Sequence, residues 1–198
     1  MKVLGIISEY NPFHYGHLYH LEESKKITNA EYSIAVISGS FVQRGEPSFV
    51  DKWTKTKMAI DNGIDLVLEL PVIFSVQSAE FFAYGGVKLL DSLKIVDYIS
   101  FGSELGQLEQ LKIIANIFAK EPYYFKSMLK KYLDKGNSYS VSRSLALEDF
   151  LKETKYKENN YIDILKSPNN ILAIEYLKSL YKLNSSIKPI TCLLYTSP

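Results

Sequence analysis

An α/β fold, a parallel sheet with helices on both faces followed by a mainly helical segment, is what the sequence predicts. Three observations carry it. Up to residue 107, four short apolar, β-branched runs alternate with stretches of helical spacing. A polar cluster follows each run, the place where parallel sheets bind ligands, beyond the carboxyl ends of their strands. After residue 107 the helical periodicity continues while the strand pattern fades.

The expected strands are residues 3–7, 33–37, 66–70 and 98–101. Each is a nearly continuous apolar run, as befits a sheet covered on both sides. Helical spacing covers 17–28, 52–62 and 79–93, and Gly63 and Asp65 supply turn chemistry after the second of these. Downstream, 108–118, 125–134, 142–154 and 171–183 read as helices. Gly136 is a stop between two of them, and Ser167-Pro168-Asn169-Asn170 opens the last. Residues 185–190 suit the start of a fifth strand, and the polar stretch 152–160 suits a loop or a solvated face. The expected organisation is a nucleotide-binding core over 1–107 and a helical extension over 108–191 that returns to the site. Residues 192–198, Cys-Leu-Leu-Tyr-Thr-Ser-Pro, resemble translated sequencing-adapter DNA and are set aside as a non-native tail.

With 198 residues, 46% of them hydrophobic, the chain can bury a sizeable core. Its net charge of +1 excludes a global field that would draw it onto nucleic acid, so any RNA contact needs a local patch. No apolar run reaches the roughly 20 residues of a membrane span, and no signal-peptide pattern precedes the first strand. No membrane partner is therefore expected. Cys192 is the sole cysteine, which excludes an intramolecular disulfide and points to a reducing, cytoplasmic setting.

All three histidines fall within seven residues, His14, His17 and His20, and the first two frame Gly16. Strand, tight loop with imidazoles, then helix is an order that makes a phosphate site. The amide groups and positive dipole end of the helix attract an anion. Imidazoles there can hydrogen-bond a phosphorus centre as its geometry changes, and Gly16 lets backbone approach the ligand. The same spacing also admits a zinc set, against which stand the lack of a nearby cysteine and the otherwise unexplained glycine. His20, one turn further in, suits packing as well as ligand contact.

Other clusters follow the later strands. The segment 38–47, Ser-Gly-Ser-Phe-Val-Gln-Arg-Gly-Glu-Pro, is a shaped loop containing Ser38, Gln43 and Arg44. Arg44 is one of only two arginines, and its fork suits a phosphate or carboxylate; a surface ion pair with Glu46 is the plainer alternative. Lys52, Lys55 and Lys57 at a helix start oppose the macrodipole and so suggest an anionic partner or a solvated basic face. Trp53 reads as core, with base stacking as the alternative. Glu69 at a strand end suits a supporting role behind the ligands of a metal, or a capping role, better than Mg²⁺ binding itself. Phe101-Gly102-Ser103-Glu104 allows a flat group to lie against Gly102, or is simply a capped turn.

The string Glu9-Tyr10-Asn11-Pro12-Phe13-His14-Tyr15-Gly16-His17 resembles the His-x-Gly-His nucleotidylyltransferases, whose sheet is Rossmann-like, and within them the bacterial tRNA(Met) cytidine acetate ligase family. Gln-Arg-Gly-Glu-Pro, Phe-Gly-Ser-Glu and Ser-Pro-Asn-Asn extend the resemblance to about Thr191. It implies an ATP-dependent ligase that makes acetyl-adenylate and passes the acetyl group to the wobble cytidine of elongator tRNA(Met). Catalysis would fall to His14 and His17. The nucleotide would lie against Ile7, Ser8, Glu9, Tyr10, Asn11, Pro12, Phe13, Tyr15, Gly16, Leu18 and His20, with Gly102 and Asn169 or Asn170. ATP, Mg²⁺ and acetate are implied, and Ser38, Gln43, Arg44 and Lys52 are candidate substrate contacts. In the family, Lys-Pro-x-Thr leads into a strand that carries an arginine; here Cys192 follows Thr191 and no arginine appears. An N-terminal fragment of a protein about twice as long is the expectation. The alternatives are an adenylyltransferase for a small phosphorylated metabolite and a non-catalytic nucleotide- or RNA-binding module.

Overall fold

The computed structural model describes residues 1–154 and 161–193. Five strands form one parallel sheet: β1 (Val3–Ser8), β2 (Tyr32–Ser38), β3 (Leu66–Leu70), β4 (Tyr98–Ser103) and β5 (Lys188–Leu193). Their order is β3-β2-β1-β4-β5. The sheet grows from β1 in both directions, so the change of strand order lies between β1 and β4, where open α/β sheets place their ligand crevice.

Side-chain alternation divides the core into two. Val3 and Ile7 of β1, with Ile34 and Val36 of β2, bury themselves on one face. Leu4, Ile6, Ala35 and Ile37 do so on the other. The central strands β1 and β2 are apolar on both sides because both sides are covered, as the unbroken runs predicted, whereas the edge strands β3 and β5 are only partly buried. One face packs α1 (Tyr15–Thr28) and α2 (Lys52–Asp61), whose Leu21 and Ala59 join that cluster. The other packs α4 (Ala79–Ser92), α5 (Leu108–Lys120) and α9 (Pro168–Lys182). The helices α6 (Tyr123–Asp134) and α7 (Tyr139–Lys152) extend this second layer.

Short helices α3 (Val72–Ser75) and α8 (Tyr161–Ile164) escape sequence reading because one turn carries no periodicity. The fifth strand begins at Lys188 rather than 185 and runs through Cys192 and Leu193, since its ladder pairs Gly102 with Cys192 and Ser103 with Leu193. Of the polar stretch 152–160, residues 155–160 lie outside the described residues, as do 194–198 of the segment read as a foreign tail. Among the described residues no helix is long and apolar enough to cross a membrane.

Close helix–sheet approach depends on glycine. A Cβ on Gly86 of α4 would lie 2.7 Å from Ile7 Cδ1, at the strand end that borders the cleft described below. Gly86→Val is expected to push α4 off the sheet and to cost about 1–3 kcal/mol of stability. A lowered denaturation midpoint in urea checks it; an unchanged midpoint contradicts the packing account.

Candidate functional site

The last residues of β1 lead into a loop that is anchored before it reaches the histidines. Tyr10 adopts φ +45°, a backbone conformation seldom used by bulky residues, and turns its ring into the core, where it is 2% exposed. That ring meets Phe13 and His17 edge-on, each at a centroid distance of 4.8 Å. Asn11 Oδ1 accepts hydrogen bonds from the Phe49 amide (2.7 Å) and Ser48 Oγ (2.9 Å). Glu9 Oε1 accepts from the Gln43 amide at 2.7 Å. The loop after β2 thus holds the loop after β1.

At the start of α1 the two histidines cap one another. The Gly16 amide donates to His14 Nδ1 at 3.1 Å, and the His14 amide donates to His17 Nδ1 at 3.2 Å. This is the geometry of a capping box, with imidazoles in place of hydroxyl and carboxylate. Because each Nδ1 accepts, each neutral ring carries its proton on Nε2 and keeps that N–H for a ligand. The rings stack at 3.7 Å, 27° from parallel. The sequence led us to expect bare amides at this helix end. Instead the Gly16 amide serves His14 Nδ1 and the His17 amide donates to the His14 carbonyl at 2.9 Å. The imidazole Nε2–H groups stand beside the Tyr15 amide as donors this end can offer an anion.

Burial lowers the pKa of His17 to about 3, and the neighbouring His14 and His20 charges push the same way. Burial alone lowers His20 to about 4. His20 Nε2 lies 2.8 Å from Ser100 Oγ, which lies 2.6 Å from Ser24 Oγ, a buried polar chain linking α1 to β4.

These elements enclose a cleft of about 630 Å³ beyond the carboxyl ends of β1 and β4. Of the sequence candidates, Ile7, Ser8, Glu9, Tyr10, Asn11, Pro12, His14, Gly16, His17, His20, Gln43, Gly102 and Asn169 line it. Phe13, Tyr15, Leu18, Ser38, Arg44, Lys52 and Asn170 do not. Phe13 packs on the core cluster beneath the loop, and Tyr15 projects outward, 90% exposed. Ser38 is fully buried, its Oγ without a hydrogen bond. Arg44 stands exposed on the turn around Gly45 (φ +76°), and among the described residues it has no ion pair with Glu46 or any other group. Lys52 Nζ pairs with Glu69 Oε2 at 2.7 Å. Asn170 is 3% exposed, and its Oδ1 accepts from the Leu105 amide at 3.2 Å.

Asn169 is held at the rim by Glu104, whose Oε1 accepts from Asn169 Nδ2 at 2.9 Å and whose Oε2 accepts from the Asn170 amide at 2.9 Å. Sequence reasoning missed Phe82, Phe101, Leu172 and Tyr176, which build the apolar wall. In a sequence such residues are indistinguishable from core. It also misread two positions on α2. Trp53, expected in the core, is 74% exposed. Lys55, grouped with cations facing a partner, is fully buried and donates to the carbonyls of Ser38 (2.7 Å) and Glu9 (3.2 Å). Burial lowers the Lys55 pKa, against the raising influence of Glu9 and Glu69. Its ammonium ties the ends of β1 and β2 together.

Among the described residues the lining contains no lysine or arginine and one carboxylate, Glu9. Among the described residues no group of three or more His, Cys, Asp or Glu could hold a metal ion.

His17 and His20 have folded pKa values below their unfolded value of 6.5. The unfolded chain therefore binds more protons between about pH 6.5 and pH 3–4, and stability is expected to fall as pH drops through that window. Thermal melts across a pH series check this, and His20→Gln should flatten part of the slope. An identical slope in the variant contradicts the assignment.

Residues 1–193 match the family model described as HIGH Nucleotidyl Transferase. The chain is 59% identical over 192 residues to a tRNA(Met) cytidine acetate ligase of Thermoanaerobacter sp. (strain X514), covering 96% of this chain and 46% of that protein. It is 51% identical over 193 residues to the protein of the same name from Halothermothrix orenii, with the same coverage. The crystal structure of Thermotoga maritima TmcAL bound with alpha-thio ATP superposes with a TM-score of 0.94 at 41% identity, covering 97% of this chain and 46% of that one. The chain spans about half the length of the curated relatives it matches.

Proposed function

The chain belongs to the HIGH nucleotidyl transferase family, and we propose that its cleft binds ATP for the activation of acetate, as the nucleotide half of a tRNA(Met) cytidine acetate ligase. The observation that carries the reading is the pair of mutually capped imidazoles at the start of α1, each with an Nε2–H to donate. The solved relative named above was crystallised with alpha-thio ATP, which supports the same ligand here.

In this reading the triphosphate lies toward His14, Gly16 and His17, and the adenosine toward the apolar wall with Gly102 and Asn169. The wall of Phe82, Phe101, Leu172 and Tyr176 offers a flat base a dry surface. The Asn169 amide, oriented by Glu104, offers hydrogen bonds to base or ribose. An acetate oxygen attacks the α-phosphorus, its bond to the bridging oxygen breaks, and pyrophosphate leaves. The exocyclic amine of the cytidine then attacks the acetyl carbon, AMP leaves, and a proton is released. The first step needs no base, because acetate is already an anion. His14 and His17 donate Nε2–H hydrogen bonds to the oxygens of the phosphorus under attack, a pre-set arrangement that needs no reorganisation.

With no lysine or arginine in its lining, the cleft leaves most of the triphosphate charge to be met from elsewhere. Glu69 is occupied by Lys52 and Glu9 by the Gln43 amide, so these carboxylates form no cage. That suits Mg²⁺ carried in on the phosphates with its own waters, where it offsets their charge. Elongator tRNA(Met) is the proposed acceptor, and the cytoplasm the proposed setting.

His17→Ala and His14→Ala are each expected to slow acetate-dependent ATP–pyrophosphate exchange about 10²–10³-fold, with about 1 kcal/mol of stability lost from the broken cap. The assay uses this chain joined to the C-terminal half of the Thermoanaerobacter relative. Exchange that ignores acetate would sink the ligase reading. Calorimetric titration of alpha-thio ATP into this chain tests the nucleotide separately, and Gly16→Val should weaken it because a Cβ there would meet the His14 ring at 3.0 Å. Unaltered affinity would place the nucleotide elsewhere.

A further inference from the structure

Acetyl transfer needs something that acetate activation does not. Acetate attacks as an anion. The cytidine amine attacks as a neutral group whose lone pair is drawn into the ring, and it must lose a proton as the amide bond forms. The groups that can take that proton are those of the cleft that hold a free, basic acceptor atom.

The imidazoles at the start of α1 hold none. His14 Nδ1 accepts from the Gly16 amide and His17 Nδ1 from the His14 amide, so the other nitrogen of each ring is a donor. His20 is buried, and its Nε2 lies 2.8 Å from Ser100 Oγ. The amides and hydroxyls of the lining accept hydrogen bonds but are too weakly basic to hold a proton. Glu9 is left, the one carboxylate of the lining among the described residues. Its Oε1 accepts from the Gln43 amide at 2.7 Å, whereas its Oε2 has no hydrogen bond, and the side chain no ion pair, among the described residues. Its backbone is fixed, since Lys55 Nζ donates to the Glu9 carbonyl at 3.2 Å. Its charge reaches the apolar wall, where it adds to burial in raising the Tyr176 pKa.

We propose that Glu9 is the general base of acetyl transfer. Its Oε2 accepts a proton from the cytidine amine as the amine nitrogen bonds the acetyl carbon. The bond from that carbon to the AMP oxygen breaks, AMP leaves with the electron pair, and Glu9 passes the proton to solvent. The inference rests on the acetyl-transfer reading above. A carboxylate suffices as base because the amine becomes strongly acidic once its lone pair is bonded to carbon. One loop then serves both steps. Its helix end, with His14 and His17, stabilises phosphoryl charge during activation, and its strand end, with Glu9, takes the proton during transfer.

The test uses the fusion described above and separates the two steps. Glu9→Gln keeps an oxygen for the Gln43 amide and removes the base. It should slow single-turnover acetyl transfer to elongator tRNA(Met) about 10²–10³-fold. Acetate-dependent ATP–pyrophosphate exchange should fall far less, so that acetyl-adenylate accumulates on the variant. Glu9→Asp, which keeps a carboxylate, should recover part of the transfer rate. With hydroxylamine as acceptor, whose lone pair is not delocalised, the Glu9→Gln deficit should shrink to less than about tenfold. Normalising transfer to exchange in one preparation cancels any loss of folded protein. Transfer at the parent rate in Glu9→Gln overturns the proposal and makes the departing phosphate the acceptor of the proton. An equal fall in exchange and transfer, or a raised Kd for alpha-thio ATP that accounts for the loss, also overturns it, since Glu9 would then hold the nucleotide. Failure of the parent fusion to exchange with acetate defeats the acetate-activation reading itself, whereas normal exchange with undiminished transfer in the variant defeats only the role of Glu9.

Discussion

Everything at the cleft depends on two imidazoles that cap the same helix turn. A helix beginning needs acceptors for its first amides. Here His14 and His17 supply them, each through Nδ1. One constraint then does two things. It ends the strand–loop–helix turn at a defined residue, and it orients two rings so that each keeps one N–H. A serine–glutamate box would satisfy the helix equally well but would offer a phosphate no such donor. Tyr10 supports the arrangement from beneath by turning its ring into the core against His17.

The electrostatics of the cleft follow from that arrangement. Burial lowers the His17 pKa most, and the charge of the stacked His14 ring, 3.7 Å away, pushes the same way. His17 is thus a neutral donor rather than a fixed cation. The buried ammonium of Lys55 is not part of the lining and is spent on two strand-end carbonyls. An anionic ligand placed here meets polarised N–H groups in a partly dry cavity, where hydrogen bonds count for more than in water.

The far wall is held by different means. α9 carries Asn169, Leu172 and Tyr176, and a buried charge network fixes it against its neighbours. Glu175 Oε1 accepts from Arg143 of α7 at 2.6 Å, and Lys178 bridges Glu175 (3.1 Å) and Glu80 of α4 (2.9 Å). Such a network adds little net stability, since desolvation offsets attraction, but it selects one arrangement of helices over others. Two residues beyond Glu80, Phe82 of the same helix completes the wall. Arg143, the second of the chain's two arginines, is therefore a strut between helices.

The sheet and most helix positions were legible because they are written in local pattern. Apolar runs fit strands covered on both faces, and residues 66–70 matched β3 to the residue. The histidine loop was legible because every imidazole in the chain sits there. What pattern could not specify was direction. Lys52, Lys55 and Trp53 lie within one turn of α2, yet one pairs with Glu69, one is buried under the loop and one faces solvent. Nor could pattern select Asn169 over Asn170 for the rim, since the choice is made by Glu104 and Leu105, some 65 residues away in the chain. The sequence by itself determined the elements, their alternation and the chemistry of the loop after β1. Only the tertiary structure decided which side chains face the cleft, because a side chain's surroundings are set by partners distant in the chain, and local periodicity carries no record of them.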